Sequence, residues 1–594
     1  MRIAVAADGA GAGLICPLAE AGAPAAAPVR VACLAAEMAA IERASAPRWV
    51  WASAAWTYPE LLRAGVRLAT CHDLELTEAL LLGHAGQVGA QASLAAAWAR
   101  LRPGNGLAPA TGPVQAGGIG QPAVAATVAA ALAHPGAHRS GARAGAQVEL
   151  FTLTGPDTVD VRAELDAVIA VHADQLRRIA AAEQPRLLSL LVAAESAGGL
   201  AAAEMAVDGL PWRADAHDQV LTGLLGPRPS AGMRPRRLAE LADAIRAELH
   251  DRALNPDSPA QLVKAFAAEG IRIPSTRAHV LRTIDHPAVP LLIEYKELAR
   301  LFTADGWEWL DTWVSGGRFR PEYVVGGVVS GRWASRGGGA LQIPKVLRRA
   351  VIADPGCVLV VADAAQLEPR VLAALAGDRA FAQAAASGDV YTALAGALGG
   401  DRDKAKLALL SAMYGGAGGE AGQLLAVLRR RFPTAARYVE DAARAGEEGR
   451  VVRSRLGRTC PPPSAKWREL TGDGADPRAG SALRSRGRFT RNFVVQASAA
   501  DWALVLLASL RRKLAGFGAA GPPDRVRATV GCDRPHLVFF QHDEVIVHSP
   551  AAVADEVVQA VSAAAQEAGR LVFGASQVRF PLSVSVVGCY ADAT

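Results

Sequence analysis

Cys357 to Arg370 reads CVLVVADAAQLEPR, and the interpretation of this stretch decides how the rest of the chain is organised. Val358 to Val361 is apolar and mostly β-branched, the composition of a buried core strand. The run ends on Asp363, after which Gln366, Leu367, Glu368 and Arg370 lead into VLAALAGD, a helical pattern. A carboxylate at the end of a core strand stands where side chains leave the core and meet solvent, a place suited to a metal ion. A residue there can equally do no more than cap the next helix. Asp363 alone therefore does not decide the function.

A second acidic stretch adds weight. Leu537 to Ser549, LVFFQHDEVIVHS, has two apolar strand-like runs around Gln541, His542, Asp543 and Glu544. Two short strands about a tight polar centre predict a hairpin with Asp543 and Glu544 at its tip. Between the two sites lies RDKAKLALLSAMY, with Arg402, Lys406, Leu410 and Tyr414 at successive steps of four. On a helix such steps stay near one face. Two cations followed by an aromatic ring suit a nucleotide, the cations toward phosphates and the ring toward base or sugar.

The three stretches resemble motifs A, B and C of the family A DNA polymerases, the group of bacterial DNA polymerase I. Motif A of that family reads DYSQIELR, and here it is DAAQLEPR. Motif B is carried by Arg402, Lys406, Leu410, Tyr414 and Gly415, and motif C by His542, Asp543 and Glu544, all in family order. The resemblance implies a multidomain α/β and α+β fold in two parts. The first, residues 1–184, would be a degenerate RNase H-like 3′–5′ exonuclease domain. The second, residues 185–594, would be a right-hand polymerase domain. Its thumb would cover about 210–325, its palm, with an antiparallel sheet, about 326–377 and 530–594, and its helical fingers about 378–529. By position the 5′-nuclease domain of some relatives has no room, so flap removal would fall to a separate protein.

Composition agrees with such a reading without proving it. At 594 residues, 51% of them hydrophobic, the chain has material for several cores. No stretch of about 18 apolar residues is free of charge or Gly/Pro interruption, and MRIAVAADG is not a secretory signal, so no membrane is expected. Seven scattered cysteines without a CxxC pair argue against a disulfide framework or zinc site, and favour the cytoplasm. The net charge of +6 is compatible with nucleic acid and too mild to demand it.

Taken in order, the first hundred residues alternate strand-like runs (Arg30 to Cys33, Arg48 to Trp51) with Ala- and Leu-rich helical ones. Arg102 to Gln147 is dominated by Ala, Gly and Pro and reads as a flexible insertion, and a helical region follows from Asp160 to about Gly209. Ala69 to Gly83 is the best local match to an exonuclease domain, yet the carboxylates such a site needs are not formed. Asp8 is followed by Gly9 and Ala10, the second motif's place carries Trp56, Thr57 and Tyr58, and Asp174 has Ala170 four residues before it. Asp73 remains, with a surface or capping role as its simplest reading. An exonuclease fold without the activity is expected.

From about residue 185 the resemblance is continuous. The basic amphipathic run Met233 to Leu254, with Asn255 to Leu262 and His286 to Leu301, resembles the thumb, and makes Arg234, Arg236, Arg237 and Lys264 candidates for phosphate contacts. SGRWASRGGGALQIP, Ser330 to Pro344, resembles the TGR…LQNIP segment along the primer–template, with Arg332 and Gln342 the residues carried across. Arg488, Asn492 and Gln496, four apart in RFTRNFVVQASAAD, would read the minor groove beside His542, and Arg370 is a further DNA candidate.

The chemistry implied by the resemblance is primer extension with dNTPs, through two Mg²⁺ ions, or Mn²⁺ in their place, held by Asp363 and Asp543 with Glu544 in support. Arg402 and Lys406 would bind triphosphate, Lys406 protonating pyrophosphate. Glu368 and Tyr414 would wall off the sugar C2′, with Gln366, Leu410 and Tyr391 around the nucleotide. Ala364 and Ala365 depart from the Tyr-Ser of motif A, Leu410 from the usual aromatic, and Tyr391 from a His. A monomer working on primer–template DNA at the bacterial nucleoid is expected, in repair or replication. Two alternatives remain: a non-catalytic DNA-binding scaffold, and a polymerase retaining proofreading.

Overall fold

The computed structural model describes residues 1–102, 160–386, 388–396, 400–414, 426, 429–472, 476–518 and 533–593. The expected insertion at 102–147 lies almost wholly outside these residues, as do Gly415 and the side chain of Tyr414. The chain forms two compact units, Met1–Thr57 with Ala64–Pro185, and Tyr58–Arg63 with Arg186–Thr594.

The first unit is built on a five-stranded sheet in the order β3-β2-β1-β4-β5. β1 (Arg2–Ala7), β2 (Gly13–Leu18) and β3 (Val29–Val31) are antiparallel, whereas β4 (Arg48–Trp51) and β5 (Thr70–Asp73) run parallel to β1. The helix Val161–Ala180 packs on this sheet through Leu165, Val168 and Val171, which join Ala4, Cys16 and Val50 in one core. Asp73 ends β5, is 1% exposed, and accepts the N–H of Leu76 (2.9 Å) and of Ala54 (2.7 Å). It is a capping residue, and burial pushes its carboxyl up to about 7.

In the second unit a helical region comes first. The expected basic helix at 233–254 is shorter, Arg236–Glu248, because Pro235 supplies a non-helical N-cap. With helices Ala214–Leu225, Pro259–Ala268 and Ala288–Asp305 it buries Leu238, Leu241, Ile245, Phe266 and Leu292 in a common core. Arg234, Arg236 and Arg237 sit in surface ion pairs with Asp257, Glu240 and Glu294, while Lys264 is exposed. Such pairs stabilise little and exchange readily for phosphate. β6 (Leu210–Pro211), β7 (Val314–Ser315) and β8 (Arg318–Phe319) form a small sheet, and β9 (Glu322–Val324) pairs with β10 (Ala334–Arg336).

The central sheet has the order β12-β13-β11-β14, all neighbours antiparallel. β11 (Cys357–Ala364) lies inside it, flanked by β13 (Glu544–Pro550) and β14 (Leu582–Val587), with β12 (His536–Gln541) at one edge. Leu359, Val360 and Ala362 are fully buried. Full burial of a Leu or Val side chain stabilises by roughly 1.5–3 kcal/mol, so the register of β11 is strongly fixed. Two helices, Pro185–Asp208 and Ala479–Ala515, are long and apolar enough to cross a bilayer, but 67% and 89% of their apolar windows are buried in the protein. Both serve as core helices, and the second packs against helices Pro433–Glu447 and Ala554–Phe573.

Candidate active site

The register of the central sheet brings the two acidic stretches together. Asp363, near the end of β11, is the cross-strand partner of Glu544, and Glu544 pairs with Gln541 across the hairpin. The turn is therefore only His542–Asp543, so the tip carries Asp543, while Glu544 already belongs to β13. His542 has φ +57°, a left-handed conformation that costs a non-glycine residue about 1–2 kcal/mol. The turn is held by the Ala364 N–H, which donates to the Asp543 carbonyl at 3.0 Å. Gln541 Nε2 donates to the Leu341 carbonyl (2.8 Å) and so docks the turn Ala340–Gln342 on the same hairpin.

Asp363, Asp543 and Glu544 are half-buried and close enough to raise one another's proton affinity. Burial, then the charge of Asp543, pushes Asp363 up to about 6, against the pull of Arg348. Burial raises Asp543 too, with Arg332 opposing. Asp363 and Asp543, but not Glu544, line a cavity together with Arg332, Gln366, Glu368, Tyr391, Leu410, Ala499, Ala500 and His542. Within it Arg332 donates to Glu368 in a half-buried ion pair.

Several side chains do other work than expected. Arg370 is not a DNA contact: it is 2% exposed and donates to the carbonyls of Ala365 (2.9 Å), Arg579 (3.2 Å), Ala385 and Gly388. That corrects the sequence reading, since a guanidinium spent on four carbonyls ties the strand-to-helix junction to distant loops. Gln366, at φ +56°, lines the cavity but its Oε1 accepts the Val390 N–H at 2.7 Å. Arg402 and Lys406 are exposed on the helix Arg402–Tyr414 and do not line the cavity, although Leu410 of that helix does. Arg402 is bound to Asp389 (2.8 Å) and lies over the Tyr391 ring at 5.5 Å. Gln342 is exposed, its Oε1 3.4 Å from Arg300. Arg488 is exposed while Asn492 and Gln496 are half-buried on the long helix, and Ala499 and Ala500 continue that helix into the cavity wall.

The family sequence model for DNA polymerase family A matches residues 233–589, which include all three motifs. The chain belongs to DNA polymerase family A. The resemblance read from motifs A, B and C is thereby borne out. This family A chain is 28% identical over 262 residues to DNA polymerase I of Chloroflexus aurantiacus, covering 39% of this chain and 25% of that protein. It is 25% identical over 328 residues to the thermostable DNA polymerase I of Thermus thermophilus, covering 50% and 36%. The aligned part thus spans 25–36% of the length of these relatives. Among solved structures, the POL domain of Pol1 from M. smegmatis, in complex with DNA primer-template and dNTP, matches with a TM-score of 0.57 at 20% identity. The match covers 73% of this chain and 76% of that one, and it bears on fold.

Sequence reading missed residues that act through long-range contacts. Arg458 is buried between Glu195 (2.7 Å) and Asp501 (3.3 Å), tying together helix Pro185–Asp208, the loop before Thr459 and the long helix. Gly331, immediately before Arg332, has φ +83°, and a Cβ there would stand 2.2 Å from Arg458 Nε. The dipeptide Gly457-Arg458 and the AAD ending in Asp501 are visible in the sequence, but their meeting is not.

Proposed function

We propose that this chain is a DNA-directed DNA polymerase that adds dNTPs to a primer 3′ end, in repair or replication of bacterial DNA. The observation that carries the reading is the placement of Asp363 on β11 against the His542–Asp543 turn, inside the span matched to the family. The donor set fits divalent cations: burial raises the proton affinity of both half-buried carboxylates, the charge of Asp543 adds to that of Asp363 and the charges of Glu544 and Glu368 to that of Asp543, and Mg²⁺ or Mn²⁺ would offset this accumulated negative charge. Among the described residues no group of three or more His, Cys, Asp or Glu is arranged around one point, so phosphate oxygens and water would complete the coordination. Two bound ions would lower the pKa of the 3′-hydroxyl and neutralise charge on the departing pyrophosphate.

The chain's own residues would do the rest. Lys406 and Arg402 would bind the triphosphate, Arg402 leaving Asp389 to do so, and Lys406 Nζ would give a proton to pyrophosphate. Glu368, with Tyr414, would stand against the sugar C2′. Arg332, Arg488, Asn492, Gln496 and His542 would follow the minor groove. Asn492 Oδ1 and His542 Nδ1 are buried without a hydrogen-bond partner among the described residues, which supports a role for both in holding a polar ligand. The antiparallel-then-parallel order β3-β2-β1-β4-β5 supports an RNase H-like exonuclease fold for the first unit, and the capping role of Asp73 supports its lack of that activity.

Primer extension on a labelled primer–template with Mg²⁺ and dNTPs, wild type beside Asp543→Ala, tests the reading. Extension by the wild type and its loss in the variant are expected. A wild type that binds DNA yet extends nothing would leave a DNA-binding scaffold as the function.

A further inference from the structure

Three acidic residues lie near the end of the central sheet, Asp363 and Glu544 as cross-strand partners and Asp543 in the adjoining turn, and they are not equivalent. Glu544 alone has a side-chain donor: the hydroxyl of Tyr590 donates to its Oε1. No hydrogen bond from another side chain reaches Asp363 or Asp543 among the described residues. Tyr590 is fully buried in the short turn Tyr590–Asp592, and its backbone is fixed by its N–H donating to the Val351 carbonyl (2.9 Å). The adjoining Ile352–Cys589 bridge and the Ala353 N–H to Gly588 carbonyl bond (2.9 Å) hold the same segment against the start of the central sheet. The Arg348 guanidinium lies over the Tyr590 ring, 4.3 Å from its centroid, with its Nε buried and without a hydrogen-bond partner among the described residues. Stacking thus holds Arg348 where its charge bears on both Glu544 and Asp363.

A carboxylate with one oxygen taken by a phenol and its charge offset by a stacked guanidinium is a weak ligand for a hard cation. We propose that Tyr590, backed by Arg348, withholds Glu544 from the divalent cations and fixes it as a standing anion beside the site, leaving cation binding to Asp363 and Asp543. This rests on the polymerase reading and makes Tyr590 a positioning residue.

The test is Mn²⁺ binding to the full-length, DNA-free protein, followed by the electron paramagnetic resonance of free Mn²⁺. Tyr590→Phe keeps the ring under Arg348 and removes only the hydroxyl. Released from it, Glu544 joins the ligand set, and Mn²⁺ binding should tighten about fivefold or more, as affinity follows the number of charged ligands. The gain should vanish in Tyr590→Phe/Glu544→Gln, and Glu544→Gln alone, which removes a neighbouring charge and no ligand, should weaken Mn²⁺ binding far less than Asp363→Asn. A purely structural role for Tyr590 would lower the melting temperature without tightening Mn²⁺ binding, and that result overturns the proposal. So does a Glu544→Gln variant that loses Mn²⁺ as severely as Asp363→Asn, which would make Glu544 a ligand already and needs no folded Tyr590 variant. Failure of the polymerase reading is a separate outcome: no primer extension by wild type, and no loss of Mn²⁺ in Asp363→Asn.

Discussion

Asp363 sets a measurable pH dependence. Its folded pKa of about 6 lies above the ordinary carboxylate value of 3.8, through burial first and Asp543 second. Between those two values the folded protein holds a proton that the unfolded chain has released, so stability falls as pH rises through this window. A shift of this size corresponds to about 3 kcal/mol at most, and partial exposure of the side chain screens it to about 1 kcal/mol. In EDTA, Asp363→Asn should therefore match wild type in urea unfolding below about pH 4 and be more stable by about 1 kcal/mol above pH 6. A gap that does not change with pH would remove the charge repulsion from the account, and added Mg²⁺ should abolish the gap by stabilising the wild type. Glu368 belongs to the same cavity and has a different task. It pairs with Arg332 in the cavity lining, and in the proposed role a ribose hydroxyl would have to displace it. Loss of one charge-assisted hydrogen bond is worth about 1.5–3 kcal/mol, so Glu368→Ala should narrow the dNTP/rNTP ratio of kcat/KM by roughly 10–100-fold. An unchanged ratio would take Glu368 out of sugar selection.

Strand and hairpin were legible because their signals are local. Val358 to Val361 announces β11, and QHDE between two apolar runs announces the turn that carries Asp543. What the sequence could not show is where side chains end after the chain has crossed itself. Arg370 reads as a DNA candidate until the carbonyls of Ala385, Gly388 and Arg579 close around it, and nothing in the sequence joins Tyr590 to Glu544, whose Oε1 accepts its hydroxyl in the fold. The segment before Arg332 makes the same point with a consequence for stability. Gly331 combines a left-handed φ with an approach to Arg458 that leaves no volume for a methyl group. Gly331→Ala should lower unfolding free energy by about 1–3 kcal/mol and displace Arg332, seen as a raised KM for primer–template. Arg458→Met should be worse, about 3–5 kcal/mol in urea unfolding, because Glu195 and Asp501 are then left as buried charges without their cation. A melt like that of wild type in either variant would show that the triad does not hold this segment.

Across the whole chain, composition excluded more than it identified, and the order of the three motifs supplied the family. For the first unit little was legible beyond alternating strands and helices, because the acids that would mark an exonuclease are missing from their places and several others are tied into local hydrogen bonds and ion pairs. Glu42 accepts the Trp49 indole N–H (2.7 Å) and the Ala69 N–H (2.6 Å), and Glu78 is bound by Arg100 and Arg178 at 3.0 Å and 2.9 Å. Asp8 accepts from Ala10 and Ala12 in its own turn. Asp73 has both oxygens committed to N–H groups and, with burial pushing it up to about 7, holds a proton for part of the time at neutral pH. A proton on the carboxyl and a metal ion compete for the same lone pairs. Without dNTPs, in Mg²⁺, the protein should therefore leave a labelled single-stranded 3′ end intact over the time in which it extends a primer. Asp73→Ala should change stability instead, by about 1–2 kcal/mol through the lost cap, with primer extension unaffected. Shortening of the labelled strand by wild type, abolished by Asp73→Ala, would establish proofreading through rearranged carboxylates.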